Sequence, residues 1–301
     1  MPIDRSDAAK PGILASAVLL LSLAIFSGCG GGTTQPTAVQ ASPIWVKQGE
    51  VLNGVAYGRG TYVAVGDAGK ILTSTDLASW TARSSGSGSA LLGVGNGNGL
   101  FVAAGTDGTL LVSRDGVSWS AVHSGSDEAL YGVAYGNGKF VAVGTNGSAV
   151  VSQDGLIWSA GNTGVTNWLY SVSYLKDRFL AVGEGGIILT SANGTDWSAC
   201  TSGVTDWLFS SGYGNGRFVA VGENGTVVTS SDGSTWTAAT SGTSSTLMSI
   251  TCGTFGFLAV GEDGTIIKSR DGSRWGASGQ AGSDWLYGVL SVADKVVTVG
   301  L

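Results

Sequence analysis

The residues of this 301-residue chain that could do chemistry are carboxylates and indoles set at a fixed interval. Glu184, Glu223 and Glu262 each follow the glycine of a Val-Gly pair, one repeat of 39 residues apart, so they fall on equivalent turns of three consecutive repeats. Two carboxylates at a defined separation are all that a glycosidase requires. A row of acids without nearby lysine or arginine is alternatively a docking rim, because like charges repel unless solvent or a cationic partner relieves them. Trp168, Trp207 and Trp285 stand at the start of equivalent apolar runs, as Asn167-Trp168, Asp206-Trp207 and Asp284-Trp285, beside Tyr170, Phe209 and Tyr287. Aromatics next to carboxylates can stack on sugars or hold a cationic side chain. The plainer reading is that each indole packs between repeats while the Asp or Asn caps the loop.

Other chemistries find little support. The single histidine, His123, makes a His-based triad or metal centre a poor fit and is expected to end an outer strand as an ordinary polar residue. Cys200 and Cys252 lie in separate repeats at non-equivalent positions, so they read as buried thiols and not as a disulfide. No metal spacing and no cofactor motif occurs. A net charge of -6 leaves no basic footprint for nucleic acid.

The elements that must position these residues follow from the repeat itself. Tryptophans recur at Trp80, Trp119, Trp158, Trp197, Trp236 and Trp275, and glycines closing a Val-Gly or Ala-Gly pair at Gly66, Gly105, Gly144, Gly183, Gly222, Gly261 and Gly300. Each unit divides into four short alternating runs, for example Leu130 to Tyr135, Phe140 to Val143, Ala149 to Ser152 and Ile157 to Ala160. Asn-Gly, Asn-Gly and Asp-Gly turns separate them. Four strands per repeat without helical period predict an all-β chain folded as a β-propeller. Seven first-and-second-strand pairs begin at Leu52, Leu91, Leu130, Leu169, Leu208, Leu247 and Leu286, but only six third-and-fourth-strand pairs follow them. The expectation is seven blades, the last completed by Ile44-Trp45-Val46-Lys47 as a fourth strand, with residues 37 to 40 as a candidate third strand or none at all. Six blades is the alternative.

Six times a third strand runs into Ser-x-Asp-Gly-x-x-Trp or a near copy, with Asp76, Asp115, Asp154, Asn193, Asp232 and Asp271 at the acidic position. This resembles the Asp-box, or bacterial neuraminidase repeat, shortened by one residue. Leu77 replaces glycine in the first copy and Asn193 replaces Asp in the fourth. The box is a structural device in which a carboxylate accepts hydrogen bonds from the N-H groups of its own turn. The resemblance covers nearly all of residues 44 to 301. It implies a propeller of the kind shared by sialidases, other glycosidases, sorting receptors and photosystem II stability/assembly factor proteins. Gly-Asn-Gly-x-Phe-Val-Ala-Val-Gly followed by Ser-x-Asp-Gly-x-x-Trp is most similar to the last group, which is not enzymatic.

Strands that alternate in direction sort the charges onto two faces. The turns after second strands and the loops leading into each repeat carry eleven acids, including Asp67, Asp127, Glu128, Glu184, Asp206, Glu223, Glu262 and Asp284, against Lys47, Lys70 and Arg83. The opposite face, bearing the aspartate turns, holds ten bases against eight acids. A sialidase would need clustered arginines near its site, yet six of the seven mature arginines fall on the aspartate-turn face. An anionic substrate would be repelled from the acidic one.

Residues 1 to 28 carry a 14-residue apolar run from Ile13 to Phe26 behind Arg5 and Lys10, too short to span a bilayer stably. Phe26-Ser27-Gly28-Cys29 resembles the lipobox of bacterial lipoproteins, which implies lipidation at Cys29, export and anchoring to the cell envelope, at the outer membrane in a two-membrane cell. Residues 29 to 43 read as a Gly/Thr/Pro/Ser tether and residues 44 to 301 as the propeller. The expected function is non-catalytic: a monomeric, membrane-tethered binding or assembly propeller for an unknown protein or polysaccharide, a basic one among the candidates. A carbohydrate-active hydrolase using paired carboxylates is the alternative.

Overall fold

A computed structural model describes residues 44–46 and 51–301. Twenty-seven strands, numbered β1 to β27 in chain order, form seven sheets. The first four-stranded sheet comprises β2 (Leu52–Gly58), β3 (Thr61–Gly66), β4 (Ile71–Ser74) and β5 (Thr81–Arg83), a meander in which each strand pairs antiparallel with the next. Five more blades repeat it: β6–β9, β10–β13, β14–β17, β18–β21 and β22–β25, within residues 91–122, 130–160, 169–200, 208–239 and 247–280. The last sheet has three strands, β26 (Leu286–Val292), β27 (Lys295–Gly300) and β1 (Ile44–Val46). The first strands pack side by side around the ring, and β26 closes against β2. The fold is an all-β propeller.

Complete four-stranded blades number six, the alternative count, and the remaining sheet differs from the expected seventh blade. β1 pairs in parallel with β27, Ile44 opposite Val297 and Val46 opposite Val299. It therefore runs in a fourth strand's direction but docks where a third strand would lie. The expected fourth-strand placement is corrected accordingly: with no third strand paired to β27, its free edge takes β1 directly, and an unprotected edge is what a closed fold avoids. Residues 37–40 and Lys47 lie outside the described residues.

The core repeats with the sequence. Phe101, Phe140, Phe179, Phe218 and Phe257, each near the start of a second strand, are completely buried. The last four are reached by an aromatic of the first strand or of the following turn, as Phe140 is by Tyr135 at 4.7 Å and by Trp158 at 6.3 Å between ring centroids. The Val-Gly glycines end second strands where no side chain fits: a Cβ on Gly183 would lie 1.9 Å from the carbonyl oxygen of Trp168, and one on Gly222 would lie equally close to that of Trp207.

The aspartate turns are built as their sequence predicts. In the third copy, Asp154 Oδ1 accepts the N-H groups of Leu156 and Ile157 at 2.8 and 3.0 Å, Ser152 Oγ accepts that of Gly155 at 2.8 Å, and Trp158 Nε1 donates to the Gly155 carbonyl at 3.0 Å. Asn193 reproduces the acceptor role, with bonds of 2.9 Å from Thr195 and Asp196, and its spare amide donates to Asp196 at 2.9 Å. These N-H groups hold Asp76, Asp115, Asp154 and Asp271 below the usual carboxylate range, and Asp232 down to about 2, the donor three residues on being the strongest influence in each. Each turn leans on the first hairpin of the preceding blade: Asn137 Nδ2 and Lys139 Nζ reach the carbonyls of Ala192 and Asn193, and Arg178 reaches that of Asp232. First hairpins and aspartate turns thus share one face, as the charge sorting required.

Candidate functional site

The opposite, acidic face is organised by a bulge repeated in every sheet. Leu169 pairs with Gly183 and Ser171 with Val182, so Tyr170 between them is an extra residue that no partner opposes. The same register shift falls at Asn53, Leu92, Tyr131, Phe209, Met248 and Tyr287. A bulge re-aims the side chain it displaces. Here it forms a ring of mostly aromatic or aliphatic side chains at the start of the innermost strands.

Across blades three to five the ring becomes a continuous aromatic arc. Trp168 stacks on Tyr131 of the preceding blade at 6.1 Å, and Trp207 stacks on Tyr170 of its own predecessor at 5.6 Å. Tyr170 in turn contacts Tyr131, Trp168 and Phe209 at 5.4, 6.4 and 5.1 Å. Phe209 is buried, whereas Tyr131, Trp168, Tyr170 and Trp207 keep part of their surface in solvent. Trp285 contacts only its own blade's Tyr287 among the described rings, at 6.1 Å. Trp168 and Trp207 do pack between blades, and they do so at the edge of the acidic face. The hydroxyl of Tyr170 is buried without a hydrogen-bond partner among the described residues. Burial, then Tyr131, Glu184 and Glu223, pushes its pKa well above the ordinary phenol value.

The row of glutamates, whose spacing suggested solvent or a cationic partner, also makes backbone bonds within its own blades. Glu184 Oε2 accepts the Trp168 N-H at 3.2 Å, Glu223 Oε2 that of Trp207 at 3.1 Å, and Glu262 Oε2 that of Thr246 at 3.1 Å. Each carboxylate clamps the backbone where its own blade begins, because the second strand ends directly beneath that segment. Its Oε1 accepts nothing among the described residues. Where Thr145 takes the glutamate's place, the bond reverses: the Thr145 hydroxyl donates to Glu128, which also accepts from Asn146 Nδ2 at 2.8 Å. These donors, Thr145 foremost, lower the Glu128 pKa. Asp206 accepts from Thr226 Oγ1 at 2.6 Å and from Asn224 Nδ2 at 3.1 Å. Asp284 is half-buried at the equivalent place before β26.

Glu184, Glu223, Trp168, Trp207 and Asp206 therefore come together on two adjacent blades, with Glu262 on the next and Asp284 and Trp285 one sheet further. Tyr131, Met248 and Glu128 belong to the same surface, and sequence reasoning passed over them as site residues. The signal for Tyr131 and Met248 was the column at positions 53, 92, 131, 170, 209, 248 and 287, whose orientation depends on a bulge that composition does not reveal. The aspartate-turn residues lie on the far face. His123 is exposed just after β9, Cys200 and Cys252 are half-buried free thiols, and Cys29 lies outside the described residues.

No group of three or more His, Cys, Asp or Glu among the described residues could hold a metal ion. Three shallow depressions, of about 450, 580 and 510 Å³, have none of the arc's rings in their linings, although Asn167 beside Trp168 lines the second and third. Only the first has two carboxylates in its lining, Asp177 and Asp196, and both are engaged, by Arg178 at 3.0 Å and by Asn193.

Solved structures share this fold. YCF48 from Cyanidioschyzon merolae aligns with a TM-score of 0.68 at 16% identity over 86% of this chain and 95% of its own. A structure of YCF48 bound to D1 peptide aligns with a TM-score of 0.69 at 17% identity over 88% and 96%. The WD40 β-propeller domain of Doa1 gives a TM-score of 0.69 at 13% identity over 85% and 91%. No protein-family model and no curated protein matches the sequence. At these identities the likeness establishes the propeller fold alone.

Proposed function

We propose that the chain is a non-catalytic, lipid-anchored propeller of the cell envelope that docks a protein segment on its acidic face. The ring is read as seven positions, six complete blades and a three-stranded closing sheet, and the six aspartate turns as Asp-boxes in a purely structural role. The observation that carries the reading is the aromatic arc, Tyr131 to Phe209, bordered by Glu184 and Glu223, each with one carboxylate oxygen unclaimed. Half-exposed rings held rigidly by a bulge supply contact area at little entropic cost, and carboxylates with spare acceptor capacity suit a basic or N-H-rich segment. The sequence resemblance to photosystem II stability/assembly factor proteins agrees with this, as does the likeness in fold to YCF48, one structure of which holds a D1 peptide.

The test compares wild type with a Glu184→Gln/Glu223→Gln double variant in capture from the organism's own envelope extract at low and high salt. Glutamine keeps the acceptor that clamps the Trp168 and Trp207 N-H groups but removes the charge, so folding is spared. Exposed charge pairs are worth about 0.2–1 kcal/mol each. The bound partner should therefore fall several-fold in the variant, and high salt should weaken wild type similarly. A partner captured equally by both proteins at both ionic strengths refutes the acidic face as the docking surface.

A further inference from the structure

The side chains that remain exposed and apolar are gathered on the other face. Among the described residues the large hydrophobics left in solvent are Ile44, Tyr57, Val117, Leu156 and Ile157, with Ile157 78% exposed and Leu156 and Val117 at 46% and 43%. Val117 and the Leu156-Ile157 pair are the tips of the second and third aspartate turns, and Tyr57 lies one residue from the end of β2, where the first hairpin turns. The corresponding tips of the other copies are Ala78-Ser79, Thr195-Asp196, Ser234-Thr235 and Ser273-Arg274. The apolar positions thus occupy one contiguous arc of one face, from the three-stranded sheet through blade three. They are also rigid, since Asp115 and Asp154 bind the N-H groups of the tips themselves at 2.8–3.0 Å. Apolar side chains fixed in water on a stiff turn mark an interaction surface.

The direction of β1 says what covers them. β27 starts at the first hairpin of its sheet, on the aspartate-turn face, and β1 runs parallel to it. Ile44 is therefore at the aspartate-turn end of its strand, on the side of the apolar arc. Fourteen residues lie between Cys29 and Ile44, a reach of at most about 50 Å when fully extended. A surface joined to a bilayer by a leash that starts on its own side meets that bilayer at high effective concentration. Exposed Arg59, Arg114 and Lys295 and half-buried Lys139 balance the exposed carboxylates Asp76, Asp115, Asp154 and Asp294 on this arc, so charge does not hold it off a bilayer.

We propose that the aspartate-turn rim of blades one to three rests on the membrane to which the chain is tethered, with Val117, Leu156 and Ile157 inserted among the lipid headgroups. This rests on lipidation at Cys29, and it turns the acidic face with its aromatic arc away from the bilayer.

Two measurements test it. The unlipidated Cys29→Ser protein is sedimented with phosphatidylcholine vesicles containing phosphatidylglycerol, beside the same protein carrying Leu156→Ser and Ile157→Ser. Wild-type tips should bind measurably, and the two serines should reduce binding about tenfold, the scale of one or two half-buried aliphatic side chains. In the second, the full chain in the same vesicles carries an environment-sensitive dye at Ile157→Cys or, on the acidic side, at Thr205→Cys. Spin-labelled lipid should quench the first dye and spare the second. A dye at position 157 that stays aqueous in a lipidated chain overturns the orientation and leaves the anchor standing. If mass spectrometry shows Cys29 unmodified, the anchor reading fails and the sedimentation arm alone decides. Equal sedimentation of both proteins, or tips protected by a second copy and not by vesicles, refutes membrane contact.

Discussion

Leu77, the residue that breaks the turn motif in its first copy, is a test of how the ring closes. In other copies this position is glycine at φ near 75°, and at Gly116 an added Cβ would press on Val63 Cγ2 at 3.1 Å. Leu77 adopts the same left-handed backbone at φ 70°, yet it is 5% exposed and packs with Val46, Tyr62, Val297 and Val299. The neighbour here is the three-stranded sheet, whose Val297, Val299 and Val46 share one core cluster with Leu77, and the leucine packs on them. Removing a buried leucine side chain costs about 2–5 kcal/mol. Relieving a left-handed residue returns about 1–2 kcal/mol. Leu77→Gly should therefore destabilise by about 2 kcal/mol, within limits of about 0–4 kcal/mol, although it restores the consensus. Gly116→Leu should also destabilise, because it adds the same strain and forces about 1–3 kcal/mol of overpacking. Urea unfolding of the mature chain, followed by tryptophan fluorescence, measures both. A Leu77→Gly protein as stable as wild type, or more so, would show that the leucine is tolerated strain and that the closure does not depend on it.

Two further outcomes follow from the same turns. Each aspartate with a lowered pKa binds its proton less readily folded than unfolded, so its stabilisation is complete above the unfolded value near 4 and disappears as pH falls through the folded value, about 2 for Asp232. The urea midpoint should hold from neutrality to about pH 5 and fall below pH 4, and Asp232→Asn, which copies the working Asn193 turn, should make that fall shallower; an unchanged slope would dissociate the turns from acid sensitivity. Trp158→Ala should cost about 3–5 kcal/mol, since the indole is buried against Phe140 and its N-H is satisfied within its own turn. A loss below about 1 kcal/mol in the same urea assay would show that the repeat's tryptophan is dispensable.

Much of this architecture is visible in the chain because each column of the repeat answers one steric demand. The glycine after Val or Ala has no room for a Cβ, the turn aspartate needs N-H donors two and three residues on, and the strand phenylalanine fills one gap between sheets. The site was less legible. Glu184 and Glu223 look alike as a charged rim, but their first commitment is to a backbone N-H sixteen residues earlier, a pairing set by where the second strand ends. Tyr131 and Tyr170 look like ordinary strand aromatics, and only the bulge brings them into one arc with Trp168 and Trp207. The docking place of β1 could not be read either: it runs in the direction of the expected fourth strand, but with no third strand paired to β27 it took that open edge directly.

The parallel pairing of β1 also fixes how the molecule bears load. A pull on the chain before Ile44, opposed by something held at the acidic face, acts along the strand. All hydrogen bonds between β1 and β27 are then strained together in shear and are not unzipped one at a time. The short strand that closes the ring is thereby its mechanical fuse, and the Val46 anchor in the Leu77 cluster sets the force at which it yields.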